Sequence, residues 1–144
     1  MRFMMLMIPR VYQPDNTGNE KVNKDFTPPA DMVEKMMKYN ADLANAGALV
    51  SLDGLRPVMN GARVHFSGGK PTVTDGPYIE TKEVLGGYWI IDVSSKEEAV
   101  DWAKRCPAQD GDSIEIRPIF EMDDFPEDVR KLADNPTVNS QLKK

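Results

Sequence analysis

The chain has 144 residues, 40% of them hydrophobic, enough for one compact domain with a real core. A formal net charge of −5, with lysines and arginines scattered along the chain, argues against a nucleic-acid partner, whose phosphates demand clustered cations. The lone cysteine, Cys106, excludes an internal disulfide and fits a reducing, cytoplasmic compartment.

The opening MRFMMLMI is far shorter than the ~20 residues that span a bilayer. It lacks a cleavage-site pattern and reads as a first strand, so no membrane partner is expected. Residues 9–27 are polar and broken by Pro, Asn and Gly, a loop long enough to be a lid or a flexible insertion. Pro28-Pro29-Ala30-Asp31 then announces a helix, with Asp31 as cap and Glu34 completing a capping-box pattern. Met32, Met36, Tyr39, Leu43 and Ala46 give it one apolar stripe, and Gly47 falls where a left-handed C-terminal cap belongs.

Residues 62–74 read as a hairpin around Ser67-Gly68-Gly69-Lys70. That register sets Val64 opposite Val73, His65 opposite Thr72 and Phe66 opposite Pro71. Val64, Phe66 and Val73 share an apolar face, and Asp75 lies on that side at the strand's end. His65, the one histidine, falls on the polar face, a solvent-facing position more often than a catalytic one. Residues 84–93 form a strong strand whose Gly86-Gly87 pair marks a bulge or a close approach, with tight packing the safer reading. Ser95 and Glu98 open a second helix, running to Cys106 and stopped by Pro107, with Ala99, Trp102, Ala103 and Cys106 on one face. Cys106 on that face reads as an inert core thiol. Residues 113–120 form the last strand, Phe125, Val129 and Leu132 mark a short amphipathic turn, and the tail frays from Asn135. The domain is expected over 1–125, with 126–144 an extension.

The order strand, helix, hairpin strands, strand, helix, strand predicts an α+β sandwich of the ferredoxin-like kind. Two helices cover one sheet face, yet the strands are apolar on both. Met4, Leu6 and Ile8 back onto Phe3, Met5 and Met7, and Tyr88 and Ile90 back onto Leu85, Trp89 and Ile91. A second copy packed face to face buries the remaining side, so a homodimer is expected. The alternative is that the long loop and the tail fold over it.

Chemistry concentrates in VTDGPYIETKEVLGGYW, residues 73–89. Asp75-Gly76-Pro77-Tyr78 is sound turn chemistry by itself. The functional reading gains from its sequel, Glu80-Thr81-Lys82-Glu83 and then Tyr88. A carboxylate at the rim of an apolar sheet face is partly desolvated, which lifts its pKa toward acid/base use, and Lys82 offsets this or binds an anionic substrate. One His and one Cys cannot build a zinc site of the usual kind. There is no Walker spacing, dinucleotide fingerprint or nucleophile elbow, so no metal or cofactor is expected.

From Thr74 to Glu83 the sequence resembles the YCII-related proteins, and most of all the branch known for a DGPF motif (often DGPFAETKE). Here Tyr78 stands for the usual Phe and Ile79 for the usual Ala. Other matching pieces are Tyr39-Asn40-Ala41-Asp42-Leu43, Gly54-Leu55-Arg56-Pro57, Phe66-Ser67-Gly68-Gly69-Lys70, Gly87-Tyr88-Trp89 and Ile114-Glu115-Ile116-Arg117-Pro118. The resemblance implies a ferredoxin-like fold paired into a dimeric α/β barrel. It also implies, for some members, a His–Asp active-site pair with the histidine on the first helix. This chain departs from that pattern, having Lys38, Tyr39 and Asn40 in the region, which leaves Asp75 without that partner. Association of related members with sigma factors further implies a regulatory role.

The expected protein is thus a cytoplasmic homodimer with a small-molecule pocket between sheet and helices. Asp75 is its metal-independent acid or base, Tyr39 and Tyr88 line its wall, and Glu80, Lys82 and Glu83 order its rim. Isomerisation, a lyase step and hydrolysis all stay open. A non-catalytic regulatory or binding module is the alternative, and a ligand-free scaffold dimer a third.

Overall fold

A computed structural model describes residues 1–13, 25–75 and 83–142 of the chain. Strand β1 (Arg2–Ile8) strictly alternates half-buried and buried side chains, so Phe3, Met5 and Met7 face a core while Met4, Leu6 and Ile8 face the other way. Helices α1 (Ala30–Asn45) and α2 (Lys96–Lys104) lie over the core face. Tyr39 and Leu43 from the first, and Ala99 and Trp102 from the second, join Phe3, Met5, Trp89 and Ile91 in one buried cluster. Burying each of the larger side chains contributes about 1.5–3 kcal/mol, and this layer holds the domain together.

The main sheet also contains β2 (Leu49–Gly54), β5 (Gly87–Asp92) and β6 (Ser113–Pro118). Its strand order is β2-β5-β1-β6, every neighbouring pair antiparallel. With two helices on one face, this α+β arrangement is consistent with a ferredoxin-like fold. Strands β3 (Ala62–Ser67) and β4 (Lys70–Asp75) form a separate two-stranded sheet. Their register pairs Val64 with Val73, His65 with Thr72 and Phe66 with Pro71, as expected. The two-residue connection requires positive φ at both central positions, and Gly68 (59°) and Gly69 (77°) supply it.

Several expectations need correcting. The hairpin does not enter the main sheet; β2, which the sequence reading did not identify, takes the place beside β5. The expected apolar face of the hairpin exists, but it is in water, with Val64, Phe66 and Val73 at 50%, 72% and 66% exposure. Helix α1 begins one residue before Asp31 and has no side-chain cap. Pro29 is the N-cap, and Asp31 instead places its charge in the first turn, where the helix dipole favours it. The strand expected over 84–93 starts at Gly87, because its neighbour β1 ends before Pro9, which has no N–H to continue a ladder. The tail does not simply fray. After α3 (Glu127–Ala133) comes α4 (Pro136–Gln141), capped by the Asn135 side chain on the Thr137 and Val138 N–H groups, with Pro136 at the first turn. The Ser95 cap of α2 is present, accepting from Glu98 N–H at 3.1 Å, and Glu98 closes onto Ser94.

The face of the main sheet away from the helices has an apolar centre and polar borders. Met4 pairs with Ile90 and Leu6 with Tyr88 down the middle. Ser51 and Asp53 flank them on β2, and Glu115 and Arg117 on β6. Neither of the tail helices α3 and α4 contributes a buried residue to the fold. At the edge of this face Arg2 holds the segment after β6, gripping Glu121 through two hydrogen bonds of 2.8 and 3.2 Å and accepting at its carbonyl from Ile119 N–H at 3.0 Å.

Candidate functional site

Where β2 and β5 part company at the end of the sheet, an open cleft of about 480 Å³ forms between residues 55–63 and 83–85. Its position follows from the glycine pair. A Cβ on Gly87 would meet the backbone oxygen of Asp53 at 2.9 Å, so only glycine lets β2 and β5 approach this closely. A Cβ on Gly86 would meet the Pro9 ring at 2.5 Å, so this glycine seats the segment that follows β1. Tight packing was the expected reason for the pair, although the partners are a strand and a proline rather than a helix.

That segment braces both walls of the cleft. Tyr12 donates its hydroxyl proton to the Leu55 carbonyl at 3.0 Å, while Leu55 N–H donates to the Gly86 carbonyl at 2.9 Å. The Gln13 side-chain amide imitates a missing strand, accepting from Val84 N–H and donating to the Val84 carbonyl, both at 2.8 Å. Val84 is buried, so these two backbone groups depend on Gln13. Gln13→Ala should therefore lower stability by roughly 1–3 kcal/mol, as urea titration would register. A loss below about 0.5 kcal/mol would mean water replaces the amide. Part of the loop expected as a lid is thus a clamp; residues 14–24 lie outside the described structure.

The site residues expected from sequence are not all brought together. Tyr39 is a core residue, its hydroxyl donating to the Trp102 carbonyl at 2.7 Å and its ring edge-on to Trp89 and Trp102. Burial pushes its phenol well above the ordinary value. Tyr88 follows the opposite parity to Trp89 along β5, so Tyr39 and Tyr88 sit on opposite sides of the sheet and cannot line one wall. Asp75 ends β4 opposite Ala62 at the base of the hairpin. It lies on the apolar side as expected, but that side is exposed, so this chain alone does not desolvate it. Glu83 is exposed on the cleft, and Glu80 and Lys82 lie outside the described residues.

Tyr88 has partners that sequence reasoning missed. Its hydroxyl donates to Asp53 Oδ2 at 2.7 Å across the β2–β5 ladder. That hydrogen bond to a carboxylate raises the phenol pKa, while a bond from Ser51 opposes it. A phenol so held stays protonated and acts as a donor, with Asp53 as the acceptor. The pair sits one ladder position from Gly54 and Gly87, outside the residues that line the cleft. Burial, with the charge of Asp112, pushes the Cys106 thiol up to about 11, which fits the inert thiol expected. Among the described residues, no three His, Cys, Asp or Glu side chains converge to hold a metal ion. None of their helices is long and apolar enough to cross a membrane.

These features define an α+β protein with helices on one sheet face, half-buried apolar residues at the centre of the other, and a braced cleft at the sheet's end. The chain belongs to the YCII-related domain family, whose model matches residues 1–123. It is also 38% identical, over 76 residues, to an uncharacterized protein of Rhizobium meliloti (strain 1021). That match covers 51% of this chain and 61% of the relative.

Proposed function

We propose that this chain acts as a homodimer that binds a small organic molecule at the cleft and carries out metal-independent acid/base chemistry there. The observation that supports this most is the bracing. Both walls are pinned by hydrogen bonds from the same segment, and ionisable groups stand at their edges. A second copy covers the apolar centre of the open sheet face, giving the paired barrel that the family resemblance implies and burying Met4, Leu6 and Ile90 under a polar rim. On this reading Asp75 is the acid or base and Tyr88 a fixed donor, both acting from outside the residues that line the cleft, and Glu83 on the lining is a rim group. On the same reading the chain is a member of the family's DGPF-motif branch, which its segment 74–83 resembles.

The test is a thermal-shift screen of central metabolites and small organic acids on wild type and Asp75→Asn. Bound ligand raises the melting temperature by RT ln(1 + [L]/Kd), about 2.7 kcal/mol of stabilisation at a hundredfold excess over Kd. A hit in wild type that weakens in Asp75→Asn is the expected result. Hits that persist unchanged in the variant would remove Asp75 from the site, and a complete blank would remove the ligand.

One observation favours a second reading, a non-catalytic regulatory or binding module of the kind the sigma-factor association implies. The hairpin carries an exposed apolar face, Val64, Phe66 and Val73, that nothing in the described chain covers. An isolated two-stranded hairpin is marginal in water, so a partner would stabilise it. On this reading Phe66→Ser abolishes partner capture and Asp75→Asn leaves it intact.

A further inference from the structure

In a chain whose net charge is −5, the described lining of the cleft includes the arginines Arg56 and Arg63 and the carboxylate Glu83. Its remaining surface is largely aliphatic, with Leu55, Val58 and Leu85 among the contributors. Arg56 is held between two fixed points. Leu55 before it is hydrogen-bonded through both its N–H and its carbonyl, and Pro57 after it is buried with a ring-locked φ of −53°. The Arg56 side chain itself makes no hydrogen bond or ion pair among the described residues. A guanidinium fork on an anchored backbone, with apolar walls beside it, is suited to hold a planar anion bidentately.

From this juxtaposition we infer that the cleft takes a small organic carboxylate with an apolar body, and that Arg56 is the residue that grips its carboxyl group. The inference rests on the small-molecule reading above and names its ligand class. The net negative charge of the chain does not forbid it. Charges farther than about 8–10 Å are largely screened at physiological salt, while a guanidinium within hydrogen-bond reach is not. Glu83 at the cleft disfavours dianions and so favours a monocarboxylate. The walls read the rest of the ligand by area, so longer or aromatic acids bind more tightly than acetate.

The experiment is calorimetric titration of the full chain with hexanoate, benzoate and phenylacetate, each beside its neutral amide. Wild type should bind at least one of the acids, more weakly as salt rises, and the matching amide at least tenfold more weakly. Arg56→Gln should weaken the acid by about 10- to 100-fold and leave the amide where it was. Arg56→Lys, keeping the charge and losing the fork, should fall between. Because the Arg56 side chain makes no hydrogen bond or ion pair among the described residues, both variants should melt with wild type when no ligand is present. Equal binding of acid and amide, or an Arg56→Gln variant that binds the acid as wild type does, would overturn the carboxylate assignment while the small-molecule reading stands. Failure of all six compounds would overturn the assignment too, and a blank in the broad metabolite screen as well would take the underlying reading with it.

Discussion

Asn40→Leu is expected to lower the unfolding free energy by roughly 2 kcal/mol and the melting temperature by on the order of 5–10 °C. The reason is an indole N–H buried between sheet and helix. Trp89 donates it to the Asn40 side-chain oxygen at 2.8 Å, and both residues are buried, at 5% and 6% exposure. Leucine has the same branched side chain of four heavy atoms as asparagine but is bulkier, so the loss reflects the missing acceptor and some overpacking rather than a cavity. Water has no easy route in, since Tyr39 packs edge-on against the same indole with its own hydroxyl committed to Trp102. The check is a double-mutant cycle with Trp89→Phe, which also removes the donor. If the hydrogen bond carries the effect, the double variant should lose clearly less than the two single losses added together. Simple additivity would assign the cost to packing.

Ile90→Asp should separate the two copies while leaving the fold of each in place. Ile90 is central on the open face, with Met4 and Ser51 as its ladder neighbours and no charge directly opposite. Under a second sheet, an aspartate there would be an unpaired buried carboxylate, a penalty of several kcal/mol. The dimer dissociation constant should rise about a hundredfold or more. If that face meets water instead, the same substitution costs only about 1 kcal/mol of strand preference and packing. Size-exclusion chromatography over a dilution series separates these outcomes. A variant that elutes with wild type at every concentration contradicts the face-to-face pairing.

The parts of the fold legible in the sequence are those whose signal is local. Alternation across MRFMMLMI gave both faces of β1, the Gly68-Gly69 turn gave the hairpin register, and Ser95 with Glu98 gave the start of α2. Strand β2 was illegible for a physical reason. Its pairing with β5 shifts between Leu49 and Ser51, so the period-two pattern that announces a strand is broken within a six-residue segment. Missing β2 meant missing Asp53, and with it the partner of Tyr88. The hairpin looked like a sheet component because its Val64, Phe66 and Val73 face is apolar. Nothing local distinguishes a strand that a sheet buries from one that projects into solvent. The clamp on the cleft was equally hidden, since Gln13 and Val84 are 71 residues apart and glutamine in a polar loop announces nothing. Asp75 was correctly placed on the apolar side at the end of a strand. Its exposure depends on where the hairpin stands relative to the sheet, which periodicity does not encode.

Both the expected barrel and the proposed function turn on a second copy covering the sheet, and sedimentation equilibrium of the wild-type chain at low micromolar concentration tests this most directly. A mass of twice the 16.1 kDa chain, persisting on dilution, is the predicted result. A mass of 16.1 kDa at every concentration would contradict it, leaving Met4, Leu6 and Ile90 open to water.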